Sequence, residues 1–94
     1  MEKKESKGIQ SIEVGIEILQ KVAESKEPLS ITELAIECNT TKSKLHRYLI
    51  SFIRTGMLEK NRNGRYVLGK EMLRLGLKAS YNLNIVDVAH NHLM

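Results

Sequence analysis

Lys42, Ser43, Lys44, His46 and Arg47 fall within six consecutive positions of a 94-residue chain, and Arg54 follows at helical spacing. The stretch Thr41-Lys42-Ser43-Lys44-Leu45-His46-Arg47-Tyr48-Leu49-Ile50 contains no carboxylate. On a helix, Ser43, Lys44, Arg47, Ser51 and Arg54 lie opposite an apolar stripe of Leu45, Leu49, Phe52 and Ile53. One face then carries three cations and two hydroxyls. Such a face suits an array of acceptors. An Arg guanidinium spans the two acceptors of guanine in the major groove, and Lys reaches them less directionally. The partner this implies is double-stranded DNA. Arg47 and Lys44 are expected at base edges, and Ser43 at a base or a phosphate. Thr41 and Lys42, at the helix start, are expected on phosphates beside the free amides there. For His46, beside the apolar stripe, a structural hydrogen bond and a phosphate contact both stay open.

A second basic group surrounds Asn61-Arg62-Asn63-Gly64. Asn-Gly between alternating segments, residues 57–60 and 65–68, predicts a hairpin, because both turn residues tolerate positive φ. Leu58, Tyr66 and Leu68 are expected to face the core. Arg62, Asn63 and Arg65 then form a basic wing able to reach phosphate or the minor groove. A charged tip that only keeps the hairpin soluble is the plainer reading.

These groups need elements to hold them. Ser30-Ile31-Thr32-Glu33 matches a capping box, in which the Ser hydroxyl and the Glu carboxylate satisfy amides reciprocally. Ile31, Leu34, Ala35 and Cys38 then follow at i, i+3, i+4 and i+7, so a short helix buries one face. Ser30 and Thr32 at its start are further phosphate candidates, although capping alone accounts for Ser30. Asn39 suits the left-handed position that ends a helix, and Thr40 is placed to cap the next one. Helix, short turn and second helix make a helix-turn-helix.

Residues 9–24 predict a first helix with two apolar stripes. Ile12, Ile16, Leu19 and Ala23 form one; Val14, Ile18 and Val22 form the other. A helix with two such stripes either lies wholly inside its domain or meets a partner as well. Val14, Ile18 and Val22 are taken as the partner-facing set. Residues 70–81 predict a linker helix with Met72, Leu75 and Ala79 on one side and Leu73 and Leu77 on the other, the latter pair expected at a dimer contact. Asn82-Leu83-Asn84 is expected to break it. Ile85, Val86, Ala89 and Leu93 would open a further amphipathic helix. Residues 1–8, charged and small, read as a disordered basic arm.

Composition narrows the function classes. The length allows one domain, here residues 9–69, with the linker helix at 70–82 and a new helix at 83–94. Fifteen Lys and Arg against 11 Asp and Glu give a net charge of +4, which suits a polyanion. Three Tyr and one Phe are too few for a single-strand binder built on stacking. No apolar run spans a bilayer and the N-terminus lacks the apolar stretch of a signal peptide, so no membrane partner is expected. The single Cys38 cannot form an internal disulfide, and the expected compartment is the cytoplasm. Cys38, His46, His90 and His92 have no metal-ligand spacing. There is no nucleophile beside a base, no paired acid and no phosphate-cradling loop. No enzyme activity and no cofactor are expected.

The collinear set Ser11-Ile12-Glu13, Pro28-Leu29-Ser30, Leu34-Ala35, Lys42-Ser43, His46-Arg47, Gly64-Arg65-Tyr66-Val67-Leu68-Gly69 and Leu73-Arg74-Leu75-Gly76 resembles the N-terminal domain of IclR-type transcription regulators. The resemblance spans about Ile9 to Tyr81. It implies a mainly α fold with a small β-hairpin, a winged helix-turn-helix followed by a linker helix. It also implies a homodimer formed through the first and linker helices. An effector-sensing domain follows in that family, so no effector ligand is expected on this segment, and residues 83–94 resemble that domain's opening helix. The sequence departs from the family where Asn39 replaces the usual Gly, Thr41 a Pro, Lys44 a Thr, Leu45 a Val and Val14 an Arg. Lys44 puts a cation where a short hydroxyl is common, so base preference is not inherited with the resemblance. A protein-protein interaction module of winged-helix shape, without DNA binding, is the alternative; such a module would not need a cationic helix face free of carboxylates.

Overall fold

The computed structural model describes residues 7–87, with side chains through residue 83. Expectations for residues 1–6 and 88–94, including those on His90 and His92, lie outside the described residues. Helices α1 (Gln10–Glu24), α2 (Ile31–Glu37) and α3 (Lys42–Thr55) precede strands β1 (Leu58–Lys60) and β2 (Tyr66–Leu68), and α4 (Lys70–Asp87) follows. The fold is mainly helical with one antiparallel hairpin.

Every element but α4 contributes a buried residue to one core, and Met72 of α4 packs against it. It joins Ile18, Leu19 and Val22 of α1, Leu34 and Ala35 of α2, Leu45 and Leu49 of α3, and Leu58 and Tyr66 of the hairpin. This largely reverses the expected division of α1, although Leu19 of the first stripe is buried as expected. Ile18 and Val22, assigned to a partner, are 2% and 7% exposed, and Val14 packs against the core. Ile12 and Ile16, assigned to the core, are 59% and 47% exposed. Gly15 supplies the reason. A Cβ there would stand 3.1 Å from Phe52 Cζ and 3.7 Å from Tyr48. α1 therefore crosses α3 on its glycine, and Gly15, Ile18, Leu19 and Val22 make an inward stripe at i, i+3, i+4 and i+7. A count of apolar residues alone passes over that glycine.

The α2–α3 corner is built by local hydrogen bonds. Ser30 Oγ accepts from the Glu33 amide at 3.1 Å, and Glu33 Oε1 accepts from the Ser30 amide at 3.0 Å, completing the capping box. Asn39 takes the left-handed conformation at φ 54°, where an L-residue other than Gly, Asn or Asp is strained. The α3 cap is Thr41 rather than Thr40: its Oγ1 accepts from the Lys44 amide at 3.2 Å. Gly56, at φ 79°, ends α3, with the Met57 amide donating back to Phe52 O at 2.9 Å. Of the expected α3 stripe, Leu45 and Leu49 are buried and Phe52 packs on the core, but Ile53 is exposed. Tyr48 takes part in its place, because α1 crosses on that side.

In the hairpin, Leu58 pairs with Leu68, Glu59 with Val67 and Lys60 with Tyr66. The turn differs from the expected Asn-Gly form. Only Gly64 has positive φ, at 77°. Asn61 shapes the loop instead. Its Oδ1 accepts from the amides of Asn63 and Arg65, at 2.9 and 3.0 Å, and its carbonyl accepts from Gly64 at 2.9 Å. This is a three-residue loop with Gly at the left-handed position. Leu29 adds a one-residue bridge to Tyr66, with the Tyr66 amide donating to Leu29 O at 2.8 Å. That bridge supports a two-stranded ribbon that would be marginal alone. Leu58 and Tyr66 face the core as expected; Leu68, at the open end of the hairpin, is exposed.

α4 begins against the end of α3. The Gly69 amide donates to Met57 O at 2.8 Å, and the Glu71 amide to Gly56 O at 3.0 Å. The chains approach so closely that a Cβ on Gly69 would lie 2.2 Å from Gly56 O. Glu59 Oε2 accepts from the Lys70 amide at 3.0 Å, setting a carboxylate at the positive end of the helix. Contrary to expectation, α4 runs unbroken through Asn82-Leu83-Asn84 to Asp87. Asn in a helix interior costs only about 0.7 kcal/mol relative to Ala, too little to stop a helix already propagating.

Candidate nucleic-acid interface

The core fixes one side of α3 and thereby frees the other. Leu45 and Leu49 are sunk among α1, α2 and the hairpin, and Ser43, Lys44, His46, Arg47, Ser51 and Arg54 are exposed. Among the described residues, Glu33–Arg65 and Glu71–Arg74 are the ion pairs, so the α3 cations are not engaged by carboxylates of the described chain. Free amides at the α3 start add partial positive charge beside Thr41 and Lys42, both exposed. Thr41 Oγ1 is an acceptor for the Lys44 amide but keeps its own hydroxyl proton to donate.

At the α2 start, Thr32 is exposed, whereas Ser30 is half-buried and bound into the capping box. Ser30 has the weaker claim to a phosphate. On the wing, Arg62 and Asn63 stand exposed at the tip.

Arg65 departs from expectation. Instead of pointing outward from the wing, its Nη1 donates to Glu33 Oε1 at 2.6 Å and to Pro28 O at 3.4 Å. One carboxylate oxygen thus receives both the Ser30 amide and the Arg65 guanidinium. The amide bond from Ser30 is the main influence holding the Glu33 carboxyl below its ordinary value, with the Arg65 charge adding to it. Arg65 joins the wing to the α2 cap. Sequence reasoning took Glu33 as a capping residue and Arg65 as a wing cation, and missed that they meet. The pairing depends on the hairpin folding back beside residues 28–30, a contact between segments more than thirty positions apart.

Ile50 is a second feature that local reasoning left unassigned. It is an exposed apolar side chain on the same side of α3 as the cations. Cys38 packs partly against the core, and burial raises its thiol pKa. Among the described residues no group of His, Cys, Asp and Glu is placed to hold a metal ion, and no helix is long and apolar enough to cross a membrane.

A capped helix pair, a cationic second helix and a hairpin beside it define a winged helix-turn-helix, a DNA-binding class of domain. Residues 11–62, more than half the chain, match the IclR helix-turn-helix domain. The chain belongs to the IclR family of transcription regulators. Solved structures agree. HmgR of Pseudomonas aeruginosa is 39% identical, with a TM-score of 0.70 over 76% of this chain and 30% of its own. An IclR-family regulator from Brucella abortus is 27% identical, with a TM-score of 0.75 over 95% of this chain and 34% of its own. The IclR of Thermotoga maritima is 26% identical, with a TM-score of 0.71 over 92% of this chain and 35% of its own. The chain thus spans about a third of the length of these regulators. A comparison with curated protein sequences gives no match.

Proposed function

We propose that this chain binds double-stranded DNA sequence-specifically, as a dimer, with α3 in the major groove and the wing on the flanking backbone. The observation that carries the reading is the α3 face, on which Ser43, Lys44 and Arg47 are exposed side by side without a carboxylate. Arg47 and Lys44 read base edges, and Ser43 a base or a phosphate. Thr41, Lys42, His46 and Thr32 contact phosphates, and Arg62 and Asn63 engage phosphate or the minor groove. Ser30 contributes by shaping the α2 start. Arg65 serves by holding the wing.

Dimerisation rests on the apolar surface left outside the core. Ile9 at the start of α1, Ile12 and Ile16 within it, and Leu73 and Leu77 of α4 are exposed. The α1 set replaces Val14, Ile18 and Val22 as the partner-facing residues. A dimer would read two half-sites related by two-fold symmetry. The place of action is the cytoplasm.

Selection of bound duplexes from a random pool tests the reading, followed by salt titration on the enriched site. Symmetric half-sites are expected. Affinity should fall steeply with salt, with a log–log slope of about −0.9 per phosphate neutralised. No enriched sequence, or affinity unchanged between about 50 and 200 mM salt, would overturn it and favour a protein-binding module.

A further inference from the structure

Ile50 occupies the middle of the face that the core leaves free. At about 100° per residue it stands roughly 140° round α3 from Leu45 and only about 20° from Ser43, 40° from His46 and 60° from Arg47. Its side chain is 37% exposed and it is not among the residues packed on the core. Ile is also a weaker helix former than the straight-chain residues. Ile50 lies outside the core, and helix propensity does not favour it there.

A major groove offers one apolar feature to such a residue, the C5-methyl group of thymine. Helices lying in the groove read bases from a cluster of positions at i, i+3, i+4 and i+7. Ser43, Arg47 and Ile50 fall at i, i+4 and i+7 of that set and are exposed. Ile50 lies about 4.5 Å along the axis from Arg47, one or two base steps of about 3.4 Å.

We infer that Ile50 reads the C5-methyl group of a pyrimidine, thymine in unmodified DNA, within two steps of the base read by Arg47. This rests on the sequence-specific duplex binding proposed above. Ile50 closes around the methyl group and excludes water from it, while the neighbouring donors read polar edges. The contact adds apolar discrimination to a face otherwise made of charges and hydroxyls.

The test uses the site enriched from a random pool. Each thymine is replaced in turn by deoxyuridine, which removes only the methyl group. A second series places 5-methylcytosine at each cytosine, to distinguish the two sources of the methyl. For the unaltered chain, one deoxyuridine position is expected to weaken binding about fourfold, the equivalent of about 0.8 kcal/mol for one buried carbon at 1.4 kcal/mol per tenfold. Ile50→Ala should fold, being a surface change to a better helix former, and should bind thymine and deoxyuridine duplexes equally at that position. Ile50→Val should retain part of the preference. An effect confined to a 5-methylcytosine and lost in Ile50→Ala would support the same contact on the other base. Equal binding of all methylated and unmethylated duplexes by the unaltered chain would overturn the inference while leaving sequence-specific binding intact. So would an undiminished preference in Ile50→Ala. Failure to enrich any site would remove both.

Discussion

Arg47 and Arg62 are both exposed cations, but they differ in what holds them. Arg47 is carried by a helix whose orientation the core fixes through Leu45 and Leu49. Arg62 is carried at a loop tip. A guanidinium set on a helix in the groove can select a base, whereas a cation at the wing tip mainly adds attraction to phosphate. Arg47→Ala is therefore expected to cost about 1–3 kcal/mol on the preferred site and to flatten preference at one base pair. Arg62→Ala should weaken binding to all duplexes alike and reduce the salt slope by about one contact. Binding arrays at two salt concentrations separate the two outcomes. Glu33 gives a prediction in pH. Its folded-state pKa lies below the ordinary 4.5, chiefly through the Ser30 amide. Its contribution to stability is therefore present above the unfolded-state value and is lost as pH falls through the folded-state value. Glu33→Gln should be less stable than the unaltered chain at neutral pH, with the gap closing on acidification below the usual carboxylate range. Urea midpoints measured along a pH series check this. The Arg65 and Glu33 side chains are 41% and 47% exposed, so added salt should screen their attraction and narrow the gap at neutral pH.

At the scale of elements, the turn between α2 and α3 sets the angle at which α3 is presented. Asn39 at φ 54° and the Thr41 cap are its two devices. Asn39→Gly keeps the left-handed backbone available and should leave stability nearly unchanged. Asn39→Ala should cost about 1 kcal/mol, because Ala keeps the Cβ that crowds the carbonyl in that conformation but loses the short polar side chain that lets Asn tolerate it. Thr41→Ala removes the side-chain acceptor for the Lys44 amide and should also cost about 1 kcal/mol. Thermal unfolding of the three variants gives the ranking. The wing is joined to this unit twice, by the Leu29–Tyr66 bridge and by Arg65 on Glu33 and Pro28. α4 is joined through Gly56, Gly69 and Glu59, so the start of α4 is tied to the end of α3.

Among the described residues, exposed apolar side chains recur along α1, at Ile12 and Ile16, and along α4, at Leu73, Leu77 and Tyr81. Apolar surface gathered on one helix face of a small domain suits an interface. Ile12→Glu combined with Ile16→Glu is expected to shift the chain toward monomer without unfolding it, since both side chains lie outside the core. Ile18→Glu should unfold it, because a carboxylate would then be buried without a partner. Sedimentation and circular dichroism distinguish the two. If the double variant remained dimeric, the α1 surface would not be the dimer contact. If the chain pairs as proposed, the double variant should lose affinity for paired half-sites far more than for one half-site.

Local chemistry is what the sequence settled alone. The Ser30 capping box, the Asn39 stop, the hairpin beside Gly64 and the cationic α3 face all arise from residues within a few positions of one another, where backbone geometry dictates the outcome. The winged helix-turn-helix was legible for that reason. Tertiary packing decided which α1 stripe is core, because the answer turns on Gly15 meeting Phe52 and Tyr48, residues that a sequence pattern does not bring together. It also decided that Arg65 pairs with Glu33. Long-range contacts choose among faces that local periodicity leaves equivalent, since a helix with two apolar stripes can turn either one inward until a neighbour fixes its rotation.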